Sequence, residues 1–164
     1  MRHGLTEMNV AGLWSGTTET PLTTVGRAQA KAAGQHAKQL NIDTITCSTM
    51  GRARETAEIV AAEMGFPAEK IVHSSLLIER HFGELEGKPY KPDIDLDGFA
   101  DIETSDRLIE RAKLAAEWLE SLPGDTILIV AHGSIGRAIR HVVEATPFTS
   151  PSFKNAEIVE LRVI

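Results

Sequence analysis

Hydrophobic residues along this chain fall into two kinds of segment. Short apolar runs are typical of strands buried on both faces of a parallel sheet, whereas apolar residues three or four positions apart indicate helices that cover such a sheet. The short runs, with one alternating segment at the end, predict strands at 43–48, 71–78, 126–131 and 156–164. The helical spacing predicts helices at 24–40, 51–64, 106–122 and 134–145. We therefore predict an α/β fold of three layers, with a mostly parallel open sheet and helices on both faces.

One long segment interrupts this alternation of strands and helices. Residues 84–106 contain Pro89 and Pro92 together with acidic clusters in place of regular apolar positions. Such a composition is typical of surface loops. We predict that 84–106 forms a loop or lid within a single domain of residues 1–164, a length sufficient for one sizeable core.

Several polar residues lie where a strand is expected to end. In open α/β sheets, ligands bind beyond the carboxyl ends of the strands. His132 and Gly133 directly follow the strand at 126–131. Arg2 and His3 reach the same edge if a strand precedes them. The sequence therefore predicts a ligand site at this edge, where Ser48 at the end of the strand 43–48 would join the other four residues.

The motifs around these residues resemble the histidine phosphatase superfamily, the group that contains cofactor-dependent phosphoglycerate mutases and many small phosphatases. The matching motifs are RHG at 2–4, Asn9, SG at 15–16, PLTTVGRAQA from Pro21, STMGRARETA from Ser48, ERHFGELEG from Glu79 and VAHGS from Val130. They occur in the family's order and extend from residue 2 to about residue 140. The resemblance implies a phosphoglycerate mutase-like fold and a site for a phosphate monoester.

A phosphate monoester is a dianion, and its pocket needs positive charge and fixed hydrogen-bond donors. Guanidinium groups supply both in a planar fork, which makes Arg2 and Arg52 the candidates. Gly4 and Gly133 are expected to open turns from strand to helix, where backbone amides can face an anion.

Two histidines are candidates for the chemical step. Neutral imidazole is a competent nucleophile near pH 7, and we expect His3 to attack phosphorus and become phosphohistidine. We expect His132 to donate to the phosphoryl oxygens and stabilise the transition state. The resemblance implies that the carbonyl of Gly4 holds the His3 ring in the attacking tautomer.

The leaving alkoxide needs a proton, and Glu79 matches the family's general acid. In the second half-reaction Glu79 would act as the base on water. The resemblance places Asn9, Ser15 and Gly16 on the substrate side of the pocket. Arg80 follows Glu79 closely enough to touch the substrate.

Composition narrows the partners to small molecules. Seventeen basic and 23 acidic residues give a net charge of −6, which argues against broad binding of nucleic acid or anionic membranes. Cys47 is the only cysteine, so the chain has no internal disulfide, and we expect a cytoplasmic location. No histidines and carboxylates have zinc-site spacing, and we expect neither a metal nor an organic cofactor.

The sequence departs from the family at its start, where the usual apolar strand before RHG is represented by Met1 alone. Loss of a central strand would leave its neighbours with unpaired amides and carbonyls. We hypothesise an upstream hydrophobic strand. The alternatives are that a second copy fills the gap, as a homodimer would allow, or that the C-terminal IVELRVI does so.

The substrate side also departs from the mutases of the family, which carry a basic insertion after the acid motif. Here that region is short and acidic, so a phosphatase is favoured over a phosphoglycerate mutase. Arg80, Lys88 and Lys91 could still grip a carboxylate, which keeps the mutase as an alternative. A third alternative is a catalytically inactive module that binds phosphate and has a regulatory role.

Overall fold

The computed structural model describes residues 1–150 and 152–162, and in these residues it contains a parallel sheet of three strands. The central strand, β1 (Thr44–Ser48), lies between β2 (Val72–Ser74) and β3 (Ile127–Val130). Cys47 pairs with His73 on one side and with Val130 on the other. All five residues of β1 are buried, as expected for a strand covered on both faces.

Helices cover both faces of this sheet, which confirms the predicted three-layer α/β fold. They are α2 (Thr24–Ala37), α3 (Gly51–Met64), α4 (Ser105–Glu120) and α5 (Gly133–Glu144), whereas the single turn α1 (Glu7–Val10) has no buried residue. Helices α2 and α3 pack on one face around Ile45 and Val60. Helices α4 and α5 pack on the other face around Leu108 and Ile135. None of the helices in the described residues has the length and apolarity needed to cross a bilayer.

Two predicted strands are wrong over most of their length. The predicted strand at 71–78 is limited to β2, because the Ser74 hydroxyl accepts from the amide of Leu76 and starts a 3₁₀ turn at Ser75–Leu77. Residues 156–162 of the predicted last strand form no strand, and 163–164 lie outside the described residues. Ala156 has a left-handed φ of 58°, which interrupts the extended path at its start.

The first three residues are held between two other segments. The Met1 amine donates to the carbonyl of Ile129 (2.8 Å), and the amide of His3 donates to that of Ala131 (3.0 Å). On the opposite side, the amide of Ala156 donates to the carbonyl of Arg2 (3.0 Å). These backbone bonds place Arg2 and His3 at the carboxyl edge of the sheet.

A groove of about 670 Å³ lies beside β3. Met1, Ile127, Ile129, Ile158 and Leu161 are among the residues that line it. The C-terminal residues line this groove and do not pair with β3 in the described part of the chain. The upstream strand stays a prediction.

The segment 84–106 is attached to the body of the protein by backbone bonds and by a small apolar cluster. The amide of Trp14 donates to the carbonyl of Lys88 (3.0 Å), and the amide of Tyr90 donates to that of Gly12 (2.8 Å). Leu85 and Ile102 of this segment pack against Trp14 and Phe82 in the buried cluster. Its role as a lid stays a prediction.

Candidate functional site

A cavity of about 680 Å³ opens at the carboxyl edge of the sheet. The residues predicted from the sequence that line it are Arg2, His3, Asn9, Ser15, Gly16, Arg52, Glu79, Arg80 and Gly133. His132 is buried behind His3, with the two ring centroids 5.1 Å apart, and it lines the groove beside β3 and not this cavity. Residues separated by about 130 positions in the sequence therefore share one site.

The His3 ring is fixed in one tautomer by its neighbours. Nδ1 lies 2.7 Å from the carbonyl oxygen of Gly4, which can only accept, so Nδ1 carries the proton. Nε2 then presents its lone pair and accepts from Nε of Arg52 at 3.3 Å. Burial, followed by the positive charges of Arg52 and Arg2, holds the pKa of His3 well below its usual value. The buried ring is thus neutral near pH 7, and the lone pair of Nε2 is directed toward a guanidinium.

Arg52 projects from the first turn of α3 and is almost fully buried. Its Nη1 donates to the carbonyl of Thr18 at 2.9 Å, and its Nη2 donates to the carbonyl of Gly16 at 2.6 Å. Two backbone carbonyls therefore orient the guanidinium so that Nε is directed at His3.

His132 is oriented by the hydroxyl of Ser48, whose oxygen lies 2.9 Å from Nε2 of the ring. That hydroxyl also accepts from the amide of Met50 at 3.2 Å, which directs its own proton toward the imidazole. We infer that Nε2 accepts and Nδ1 carries the ring proton. Nδ1 is buried without a hydrogen-bond partner in the described residues. A buried donor of this kind suits a ligand oxygen.

Glu79 lies at the N-terminus of α5. Its Oε1 accepts from the amide of Ser134 at 3.0 Å and from that of Arg80 at 2.9 Å. Burial lowers the pKa of Arg2 and of Arg52, and the negative charge of Glu79 opposes that effect on both. The carboxylate therefore lies within the field of the two arginines and on the wall of the same cavity.

Four further predicted residues, Arg2, Ser15, Asn9 and Gly133, differ in whether their polar groups are already hydrogen-bonded within the protein. The Ser15 hydroxyl and Nε of Arg2 are buried and have no partner in the described residues, so they suit a bound ligand. The side chain of Asn9 accepts from Asn155 at 3.1 Å, which joins α1 to the C-terminal segment. Gly133 begins α5, and a β-carbon there would lie 2.8 Å from the hydroxyl of Ser152.

Two predicted residues are engaged by partners within the protein. Arg80 lines the cavity, and its Nε donates to the carbonyl of Glu103 (2.6 Å) and its Nη2 to the carboxylate of Asp97 (2.8 Å). These bonds tie down the segment 84–106, and the expected contact of Arg80 with substrate stays a prediction. The amide of Gly4 donates to the hydroxyl of Thr56 (3.1 Å) and so does not face an anion.

Several residues of the cavity wall were not predicted from the sequence: Trp14, Tyr90, Arg137, Phe148 and Asn155. Helical spacing could have indicated Arg137, because it lies four residues after Gly133 on the same face of α5. The Arg137 guanidinium lies 5.7 Å from the ring centroid of Phe148. Nothing in the sequence alone indicates that the other four residues lie near His3.

Among the described residues, no cluster of histidine, cysteine and carboxylate side chains could hold a metal ion.

The two buried histidines make stability depend on pH. Burial and Arg52 hold the folded-state pKa of both His3 and His132 well below 6.5. Below pH 6.5 the unfolded chain takes up protons at these positions while the folded chain does not, so the free energy of unfolding falls as pH falls. Each histidine contributes up to about 1.4 kcal/mol per pH unit in that window. Urea unfolding at pH 7.5, 6.5 and 5.5 measures the slope.

A His3→Asn variant should lose part of that slope, because one of the two titrating rings is gone. His36→Gln serves as the control, since His36 is exposed on α2, and it should keep the full slope. An unchanged slope in His3→Asn would show that His3 takes up protons equally in the folded and the unfolded chain, so that its pKa is not lowered by folding.

Comparisons with known proteins agree with this geometry. The model of the histidine phosphatase superfamily (branch 1) matches residues 1–163. Uncharacterized phosphatase PhoE of Bacillus subtilis is 32% identical over 146 residues, which cover 85% of this chain and 72% of PhoE. Probable phosphoglycerate mutase GpmB of Photorhabdus laumondii is 34% identical over 146 residues, which cover 81% of this chain and 67% of GpmB.

A solved structure extends the similarity to the fold. Bacillus stearothermophilus YhfR is 28% identical, with a TM-score of 0.83, and the alignment covers 99% of this chain and 91% of YhfR. Since the family model matches the chain almost from end to end, this protein belongs to branch 1 of the histidine phosphatase superfamily.

Proposed function

We propose that this phosphatase hydrolyses a small phosphorylated metabolite through a phosphohistidine on His3. The observation that carries the proposal is the state of the His3 ring: Nδ1 is fixed by the carbonyl of Gly4, and Nε2 faces the cavity beside Arg52. A neutral imidazole held in this way is an activated nucleophile. Glu79 on the same wall supplies a carboxyl group for proton transfer.

The first half-reaction breaks the P–O bond of the ester. Nε2 of His3 donates its lone pair to phosphorus, and the alcohol oxygen leaves with its electron pair and takes a proton from Glu79. Arg2, Arg52 and Nδ1–H of His132 donate to the three phosphoryl oxygens while they gain charge.

The second half-reaction breaks the P–N bond. Water attacks phosphorus, Glu79 takes a proton from the water, and His3 leaves as neutral imidazole. The products are the alcohol and inorganic phosphate, and Glu79 has regained the proton that it lost in the first half-reaction.

Phosphoglycerate mutase activity is the second candidate, favoured by the similarity to GpmB. A mutase must grip a second anionic group while the phosphoryl group moves between hydroxyls. Two of the cations expected to do so are engaged elsewhere, because Arg80 pairs with Asp97 and Lys88 pairs with Glu84. This pairing supports hydrolysis over transfer. An inactive phosphate-binding module is the third candidate.

We further propose a cytoplasmic location and a reaction without metal or organic cofactor. Cys47 is a free, buried thiol, as is usual in a reducing compartment. The transition-state charge is matched by guanidinium and imidazole groups, so the proposed steps need no Lewis acid.

Turnover and trapping of the intermediate test this function. The protein should release nitrophenol from p-nitrophenyl phosphate, and alkaline quench during turnover should yield a phosphopeptide that contains His3 and loses its phosphate in acid. With 3-phosphoglycerate and a trace of 2,3-bisphosphoglycerate, inorganic phosphate should accumulate. Accumulation of 2-phosphoglycerate would indicate the mutase. Absence of any turnover would indicate the binding module.

A further inference from the structure

The side chain of Glu86 binds the loop that orients Arg52. Its Oε1 accepts from the amide of Thr17 at 2.9 Å, and its Oε2 accepts from the amide of Thr18 at 2.9 Å. The hydroxyls of both threonines also donate to this carboxylate. Residues 17 and 18 are therefore held by one side chain that lies 68 to 69 positions further along the chain.

The same carboxylate joins this loop to the segment that carries Glu79. Oε1 of Glu86 also accepts from the amide of Phe82 at 3.0 Å, three residues after the proposed acid. Burial raises the pKa of Glu86, but hydrogen bonds from Thr18, Thr17 and Phe82 outweigh that effect and hold it below its usual value. The group is thus a carboxylate at neutral pH, with donors on both of its oxygens.

Glycine at position 16 allows the loop backbone to approach the Glu86 carboxylate closely. Its φ of 49° lies in the left-handed region that favours glycine. A β-carbon at Gly16 would lie 2.1 Å from Oε1 of Glu86, which is an overlap. Close approach between the loop backbone and the Glu86 carboxylate is therefore built into this position.

The loop in turn presents the carbonyls of Gly16 and Thr18 to the two Nη atoms of Arg52. A chain of direct contacts runs from Glu86 through residues 16–18 to Arg52, whose Nε donates to Nε2 of His3. Glu86 does not line the cavity, so it acts on the reaction through these contacts and through its charge, which raises the pKa of Arg52 against the effect of burial.

We propose that Glu86 is a positioning residue for the reaction, which sets the orientation of Arg52 relative to His3 by holding the carbonyls of residues 16–18. The proposal rests on the function proposed above. Its consequence is that Glu86 affects the transition state, where the alignment of Arg52 matters most, and has little effect on the initial binding of substrate.

A Glu86→Gln variant tests this with almost no change in volume. The amide NH₂ cannot accept, so one of the two groups of donors on the loop is left unsatisfied. We expect kcat for p-nitrophenyl phosphate to fall about 10- to 100-fold, as for other small misplacements of catalytic groups, with KM within about threefold. Gly16→Ala, which breaks the same contact from the loop side, should give the same pattern.

Glu84→Gln is the matched control. Glu84 is two positions away, is exposed and pairs with Lys88 on the surface. Its kcat and KM should equal those of the parent protein.

A double-mutant cycle separates positioning from general stability. Lysine at position 52 lacks the fork that engages both carbonyls, so in an Arg52→Lys background Glu86→Gln should lower kcat by less than about threefold further. Its effect on the urea midpoint should be the same in both backgrounds. Independent losses of kcat that multiply would overturn the proposal, and so would a rise in KM at constant kcat.

Vanadate affinity distinguishes failure of this proposal from failure of the proposed function. Vanadate adopts the trigonal bipyramidal geometry of phosphoryl transfer, and its binding can be measured without turnover. Glu86→Gln should weaken vanadate binding more than phosphate binding. If the parent protein proves inactive, equal losses for both anions would still overturn the positioning role.

Discussion

Replacement of His3 by asparagine is expected to lower kcat/KM for p-nitrophenyl phosphate by at least about 10⁴-fold, the scale seen when a catalytic nucleophile is removed. Asparagine can keep a donor near the carbonyl of Gly4, the contact that fixes Nδ1 in the parent protein. It has no basic nitrogen to attack phosphorus. Positive charge from Arg2 and Arg52 remains, so inorganic phosphate should still bind as a competitive inhibitor of the residual reaction.

The kcat/KM of His3→Asn is obtained from single-turnover measurements with enzyme in excess over p-nitrophenyl phosphate. His36→Gln on the surface of α2 is the control and should retain parental activity. Activity of His3→Asn within about tenfold of the parent would mean that water attacks the ester directly. Nucleophilic catalysis by the imidazole would then be excluded.

Helix α2 was predictable because two independent signals agree on it, whereas α3 and α5 have no side-chain cap and rest on apolar spacing alone. In α2, the apolar spacing agrees with a capping threonine, and Thr23 accepts from the amide of Gly26 in the folded chain. In α3, the predicted bounds equal the observed Gly51–Met64. Spacing and capping are local properties, so they can be recognised without knowledge of the packing.

The two wrong strands failed for reasons that are invisible in a hydrophobic pattern. In 71–78 the apolar residues do contribute to the core, with Leu77 fully buried. The hydroxyl of Ser74, however, starts a turn in the middle of the segment and ends the strand there. In 156–162 the residues partly cover the groove beside β3 without pairing to it. Hydrophobic alternation predicts which side of a segment is buried and does not predict whether its backbone has a strand partner.

The cavity could be predicted in outline because the carboxyl ends of parallel strands meet at one edge. Whether a charged side chain in the cavity is free to bind a ligand depends on which other residues it pairs with in the folded chain. The pairing of Arg80 with Asp97 and with the Glu103 carbonyl, for example, joins segments that meet only in the folded chain. Glu86 was not predicted at all, because an acidic residue in a polar loop has the appearance of solvent-exposed surface.

The second large effect concerns Glu79 and depends on the leaving group. A Glu79→Gln variant should keep one acceptor for the amide of Ser134 but has no proton of suitable acidity to give. For an alkyl phosphate, whose alkoxide leaves poorly, kcat/KM should fall about 10²- to 10⁴-fold. For p-nitrophenyl phosphate the loss should be less than about tenfold, because nitrophenolate leaves without protonation. Glu55→Gln, a surface partner of Arg27, should affect neither substrate.

The choice of kcat/KM is essential to this test. Glu79 has a second role as the base in hydrolysis of the phosphohistidine, and that step is common to every substrate. Loss of this base slows hydrolysis of the phosphohistidine to the same extent for good and poor leaving groups, and that step contributes to kcat. By contrast, kcat/KM reports only the steps through cleavage of the P–O bond. In Glu79→Gln, p-nitrophenyl phosphate should then give a burst of nitrophenol followed by slow turnover, since the phosphoenzyme accumulates. Equal losses of kcat/KM for both substrates would remove Glu79 from the role of general acid.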